Sequence, residues 1–300
     1  MKAMRFYEYG GPEVLKLDDI EPPQPGPKQI RIAVKAAGVN PIDWKLRAGY
    51  MREMMPLTLP AGTGYDAAGI VDAVGKDVTG VAVGDAVFGR GQATMAEYAV
   101  LHDWAHKPDT LSFTTAAAFP VAAETAGRII DALAVKAGDT LLVSGAAGGV
   151  GSAVLQLARA SGIRTIGTAS AAKHAYLRSL GAVPTTYGPG LTERIAALAV
   201  DGVQAAVHIV GDGVIPELVA ITGDPSRVVS ISDVQAPQYG VRTLFQDGDA
   251  TAALERVAAL YVAGGFTLPV ERTFKLAELG AAHDLSAQGH VSGRLVVVID

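Results

Sequence analysis

The sequence predicts an α/β protein in which a β-rich region precedes a doubly wound, parallel-sheet region, and three observations carry this. Residues 1 to about 120 hold short β-type runs, such as Gln29–Lys35, between Gly- and Pro-rich turns. From about 121 to 264, apolar runs alternate with helical patterns, as βαβ units require. Between them in character stands Thr140–Gly151, an apolar run that ends in a cluster of glycines before a helical stretch. That pattern is a tight strand-to-helix turn.

Within the second region the candidate strands are 140–144, 164–169, 184–187, 204–210 and 227–232. Helices are expected near 150–161, 171–180, 192–199 and 213–222. Asp249–Ala263 reads as an amphipathic helix with Leu254, Val257, Ala258 and Tyr261 on one face. The tail adds a helix at about 276–287 and a strand at 293–299. Thr140–Ala158 is uncharged and nearly long enough to span a bilayer. Its glycines, Ser144, Ser152 and Gln156 make it a poor lipid-facing helix, so that reading is rejected.

A length of 300 residues suggests about two domains. A net charge of −5 argues against nonspecific nucleic-acid binding, which needs a basic footprint. The absence of cysteine excludes disulfides, thiol nucleophiles and cysteine-ligated zinc. Met1–Glu8 lacks the apolar core of a signal peptide, so a cytoplasmic location is expected.

The glycine turn carries the chemistry. A strand-to-helix turn of this kind lets backbone approach a pyrophosphate, which free N–H groups and the positive helix end stabilise. Ala147, Gly148, Gly149 and Val150 are the expected cradle. A glycine-rich turn alone is weak evidence, and the second strand end strengthens it. There Ser170, Lys173 and His174 stand where an acid would grip a ribose 2′-hydroxyl and repel a 2′-phosphate. No Asp or Glu occurs between Asp139 and Glu193. The expected ligand is NADP(H), with Ser170 and Lys173 on the phosphate and Tyr187 as a third contact. His174 is either a further contact or an exposed histidine.

Several segments resemble the medium-chain dehydrogenase/reductase superfamily, in its zinc-free, zeta-crystallin-like quinone oxidoreductase branch. They are Tyr9–Leu15, Ala36–Lys45, Gly64–Val71, Val74–Gly89, Gly145–Gly151 and Gly289–Val298, in the family's order. The resemblance implies a GroES-like catalytic domain, 1–120 plus 266–300, with a Rossmann domain, 121–265, inserted in it. It also implies an active site where the two meet, and a homodimer. Zinc-dependent relatives draw ligands from three regions, occupied here by Asn40–Asp43, Tyr65–Asp66 and Ala123–Glu124, so no metal is expected. Without a Lewis acid, hydride transfer favours a quinone or an α,β-unsaturated carbonyl (enone) as acceptor. A nonenzymatic NADPH-binding protein is the reading from another class.

By the same resemblance, Asn40 and Lys45 line the nicotinamide end with Asp43 beside them, and Thr125 lies near the carboxamide. Val210 and Gly211 border the cofactor. Independently of the resemblance, Ile231 after the fifth strand is expected to approach the nicotinamide, and Tyr65 is a candidate to face the substrate and donate a proton. For four of these a plainer reading stays open. Asn40 can be a turn former before Pro41, Lys45 a surface lysine, Thr125 a helix-interior hydroxyl and Tyr65 a structural ring. Asp66 is expected to pair with a basic residue such as Arg294. Tyr50, Met51, Met54 and Met55 are expected to rim the pocket or to pack in the core. His102 and His106 lack an evident third ligand.

Overall fold

The computed structural model describes residues 1–211, 213–245, 248–289, 291 and 293–299. It divides into two compact units, one of Met1–Val121, Ala250–Val262 and Leu268–Asp300, the other of Ala122–Asp249 with Ala263–Thr267. His290 and Ser292, in the C-terminal motif, lie outside the described residues.

The first unit opens with β1 (Lys2–Phe6), β2 (Leu15–Asp19), β3 (Ile30–Val39), α1 (Pro41–Arg47), β4 (Ala61–Gly62), β5 (Asp66–Val74), β6 (Ala86–Gln92), β7 (Tyr98–His106) and α2 (Phe113–Ala116). The second holds most of α3 (Pro120–Leu133), then β8 (Thr140–Ser144), α4 (Gly149–Ala160), β9 (Arg164–Thr168), α5 (His174–Ser179), β10 (Val183–Thr185), α6 (Leu191–Leu198), β11 (Ala205–His208), α7 (Ile215–Thr222), β12 (Val228–Ser230) and β13 (Arg242–Thr243). The first unit resumes with α8 (Ala250–Val262), β14 (Val270–Lys275), α9 (Leu279–Ala287) and β15 (Arg294–Val298).

Strands of the first unit form a sheet of order β14-β15-β3-β5-β6-β7, and β7 also pairs with β3, so four strands close on themselves. Along β3 the two-residue period sends Ile30, Ile32 and Val34 into the core, while Arg31 pairs with Asp72 at 2.9 Å on the other face. Gly38 lies opposite Asp66 in register. A Cβ on Gly38 would stand 2.3 Å from the Ala117 carbonyl oxygen and 2.9 Å from Asp66 Cβ, so only glycine leaves room for that carboxylate.

In the second unit all pairings are parallel, in the order β10-β9-β8-β11-β12-β13. β8 is buried along its length, as a strand covered on both faces must be. Leu142, Ile166, Ala206 and Val228 of the sheet pack with Leu191, Ile195, Ile215 and Leu218 of the helices. The protein is therefore α/β, with a doubly wound parallel sheet in the second unit and a strand-rich first unit.

Several outcomes depart from the sequence reading. β14 is a strand the pattern missed, because Val-Glu-Arg-Thr-Phe-Lys shows charge rather than clean alternation. α8 belongs to the first unit, whereas the sequence grouped it with the second region. It packs on β7, and the Tyr261 hydroxyl donates to the Thr110 carbonyl at 3.2 Å. Periodicity specifies a buried face but not its neighbour. Among the described residues no helix is long and apolar enough to cross a membrane.

Candidate functional site

In the second unit the glycine turn joins β8 to α4. Gly148 is the N-cap of α4 and no side chain caps it. The first-turn N–H groups thus lack intrahelical partners and sit at the positive end of the helix. Two glycines there differ in purpose. A Cβ on Gly151 would meet the Gly145 oxygen at 2.4 Å and Ala146 Cα at 2.7 Å, so this glycine lets the helix pack on the turn. Among the described residues a Cβ on Gly148 would meet nothing nearer than the Gly145 oxygen at 3.7 Å, so none of them claims its space. Ala147 is buried, while Gly149 and Val150 are half-buried. Open donors beside an unclaimed backbone surface fit a pyrophosphate.

Ser170 follows β9, with Lys173 half-buried one short turn later. His174 Nε2 is buried without a hydrogen-bond partner among the described residues. Tyr187 is exposed on a loop that Arg194 holds by donating to the carbonyls of Thr186 (3.0 Å), Gly188 (3.0 Å) and Pro189 (2.8 Å). The sequence reading missed this arginine. Tyr176 donates to Ser152 Oγ at 3.1 Å and so ties α5 to α4. Val210 and Gly211 follow β11 and are exposed, and half-buried Ile231 follows β12. The structure thus places these predicted residues after the C-terminal ends of β8, β9, β10, β11 and β12. Thr125, on α3, is buried and bonds Glu124 at 3.3 Å and Arg128 at 3.4 Å, so its hydroxyl is engaged within its own helix.

In the first unit, Asn40, Asp43, Asp66 and Arg294 form one buried network. Asp66 accepts from the Val121 N–H at 2.8 Å, from Asn40 Nδ2 at 2.9 Å and from Arg294 Nη2 at 2.9 Å. Arg294 also donates to Asn40 Oδ1 at 2.8 Å. The expected Asp66–Arg294 pair is present. Burial holds the Asp66 carboxyl above its ordinary value, against the opposing effect of Arg294, Asn40 and the Val121 N–H. The Asn40 amide thus has a partner at each end, Asp66 on Nδ2 and Arg294 on Oδ1. Its backbone N–H donates to Asp43 Oδ2 at 2.8 Å, capping α1. Asp43 Oδ1 has no partner among the described residues, and burial pushes this carboxyl up to about 8. Asp43 therefore holds a proton at neutral pH.

Lys45 lies on α1 with Nζ 5.8 Å from the Trp44 ring centroid. Tyr65 lines a cavity of about 530 Å³ within this unit. Phe6, Leu46, Met55 and Leu57 supply apolar walls, and Thr58, Thr63 and Gln92 supply polar groups. Burial, then the nearby Asp43, raises the Tyr65 phenol, so it is a standing hydrogen-bond donor and a weak proton-transfer acid. Of the loop expected to rim a pocket, only Met55 lines this cavity; Tyr50 is 74% exposed and packs edge-on to Trp44. A smaller cavity of about 160 Å³ lies among Met1, Arg5, Tyr98 and Val100 and includes none of the predicted residues. His102 and His106 both fall on β7, where residues four apart stand about 13 Å apart and cannot share an ion. His102 pairs with Asp103 at 3.5 Å, and His106 bonds the Gly80 carbonyl at 2.9 Å.

Residues 26–109 match the alcohol dehydrogenase GroES-like domain, and 185–297 match the zinc-binding dehydrogenase domain. Human quinone oxidoreductase is 44% identical over 176 residues, which cover 56% of this chain and 53% of that protein. The chain thus aligns with about half the length of the first curated relatives it matches. A quinone oxidoreductase of Pseudomonas aeruginosa is 31% identical over 327 residues, covering 99% of both chains. The chain belongs to the medium-chain dehydrogenase/reductase superfamily, in its quinone oxidoreductase branch. The solved quinone oxidoreductase of Coxiella burnetii superposes on this member with a TM-score of 0.86 at 34% identity, covering 100% and 99% of the two chains. A mycobacterial member solved with NADPH gives 0.85 at 28%, covering 99% of each. Tomato 2-methylene-furan-3-one reductase is 38% identical over 197 residues, 61% of this chain and 50% of that protein.

One matched domain of this superfamily is described as zinc-binding, so its donor regions can be tested here. A guanidinium sits between the Asn40 and Asp66 oxygens, where a dication would need them free. Tyr65 offers a neutral phenol, Ala123 offers no donor, and Glu124 pairs with Arg128 at 3.5 Å. Among the described residues no group of three or more His, Cys, Asp or Glu converges. Zinc does not fit this set.

Proposed function

We propose that the chain is an NADPH-dependent oxidoreductase that transfers hydride to a quinone without a metal. One observation carries the reading: an uncapped α4 N-terminus stands beside a second strand end whose own segment supplies Ser170 and Lys173 and contains no Asp or Glu. The α4 N–H groups would hold the pyrophosphate, and Ser170, Lys173 and Tyr187 the 2′-phosphate. When bound, the nicotinamide supplies the hydride. The chain's own task is then to bind, orient and exclude water. The cavity beside Tyr65 suits a flat acceptor, with apolar walls for its ring and the phenol as donor to a carbonyl oxygen. Lys45 is kept as a candidate for a developing oxyanion.

The likeness to the tomato reductase favours a second reading, reduction of the C=C bond of an enone. Following NADPH consumption with 1,4-benzoquinone, 9,10-phenanthrenequinone and a panel of small enones separates the two. Turnover of quinones above enones supports the proposal, and the reverse supports enone reduction. Tight NADPH binding with no turnover of any acceptor points instead to a nonenzymatic binder. A homodimer is part of the proposal, and light scattering in solution tests it.

A further inference from the structure

His208 is the last residue of β11 and is fully buried at the end of the apolar run Ala205–Val207. Register sets it opposite Ser144, which ends β8, and opposite Ser230, which ends β12. Sheet order reverses between β8 and β11, the point outside whose strand ends such sheets bind ligands. Burying an imidazole there is costly unless its nitrogens are satisfied.

Ser230 answers that need. Its Oγ lies 2.9 Å from His208 Nδ1 and accepts the N–H groups of Ser232 at 3.3 Å and Asp233 at 3.2 Å. A hydroxyl has two lone pairs and one proton. The two N–H groups take the lone pairs, so the proton points at Nδ1, which must be the unprotonated nitrogen. Ser232 Oγ approaches the same atom at 3.4 Å. The imidazole thus fixes the Ser230 rotor, and Ser230 fixes the backbone from Ile231 to Asp233. The His208 carbonyl also accepts the Ile231 N–H at 3.1 Å. On the other side, the Ile209 N–H donates to the Ser144 carbonyl at 3.2 Å, and Val210 lies so close that a Cβ on Gly145 would meet it at 2.9 Å.

We infer that His208, acting through Ser230, is a positioning residue that shapes the wall formed by Ile209–Gly211 and Ile231–Asp233 for the nicotinamide half of the cofactor. This rests on the dinucleotide reading above. Ser170, Lys173 and Tyr187 lie beyond β8 on the β9–β10 side, so the adenosine half should not depend on His208.

The test compares NADPH, followed by its fluorescence on binding, with 2′,5′-ADP, which lacks the nicotinamide, followed by calorimetry. His208→Leu should raise the NADPH Kd ~10-fold and the 2′,5′-ADP Kd by less than ~2-fold, the scale of one lost buried hydrogen bond. Ser230→Ala should act in the same direction. His208→Asn, whose Oδ1 takes the place of Nδ1, should return to within ~3-fold of the wild type. Unchanged NADPH affinity in His208→Leu overturns the inference, and so does an equal loss of both ligands. If the leucine variant fails to fold, Ser230→Ala decides by the same criteria. A wild type that binds neither NADPH nor NADH overturns the dinucleotide reading itself and this inference with it.

Discussion

Ser170 offers a hydroxyl at the strand end where a carboxylate would face a 2′-phosphate. Ser170→Asp should therefore weaken NADPH by ~10-fold or more while sparing NADH, through charge repulsion. Paired Kd measurements check this, and equal losses would show that Ser170 faces another group. Arg294 is a different case, because its partner is buried. Arg294→Met leaves Asp66 without its counter-charge and should cost about 3–5 kcal/mol in urea unfolding. An Arg294→Met protein as stable as the wild type would sink that account. The Asp66 pairing was legible in the sequence, because a buried carboxylate needs a partner. The second role of Arg294, filling the space between Asn40 and Asp66, was not. It depends on residues 254 apart in sequence meeting, which no local pattern encodes.

The helix α4 and its turn separate packing from ligand approach. Gly151→Ala should destabilise the second unit by about 2 kcal/mol or more, because its Cβ would press on backbone atoms. Gly148→Ala has ordinary backbone angles, φ −78° and ψ 174°, and open space, so its melting temperature should hold while NADPH binding weakens. Thermal melts beside NADPH titrations of both variants check the pair, and matched effects would refute the division of labour. Regular elements such as β8, α4, β9 and α7 were readable because their period and glycine punctuation are local signals. What escaped was set by neighbours. β13 has only two residues, and α8 showed its apolar face without naming the strand it covers. His208 did leave a signal, a polar residue in an apolar strand run, that the reading passed over.

Stability of the molecule against pH should carry the marks of two buried groups with opposite slopes. His283 lies 3.5 Å from Arg47, and burial, then the guanidinium, pushes it down to about 3. The fold holds its neutral form, so its contribution is intact above the ordinary value of 6.5 and is lost as pH falls from there towards 3. Asp43, pushed up to about 8, behaves oppositely. Its contribution is full below the ordinary 3.8 and is lost as pH rises from there through 8. Each slope is about 1.4 kcal/mol per pH unit, so the two oppose each other between about 4 and 6.5, and above that His283 no longer offsets Asp43. The wild type should lose about 2 kcal/mol between pH 6.5 and 8 that Asp43→Asn does not lose. His283→Gln should remove the opposing acid-side slope. Urea unfolding at pH 5, 6.5 and 8 reads both, and parallel curves for all three proteins would contradict the assignment. The place of β15, beside β3 in the first unit, also bears on how the polypeptide is made. During synthesis the edge of β3 that β15 will cover stays bare, and Asp66 waits for a counter-ion 228 residues downstream. The whole of the second unit leaves the ribosome in that interval. A nascent chain would thus hold an unpaired strand edge for most of its translation, the state in which chaperone capture or aggregation is decided.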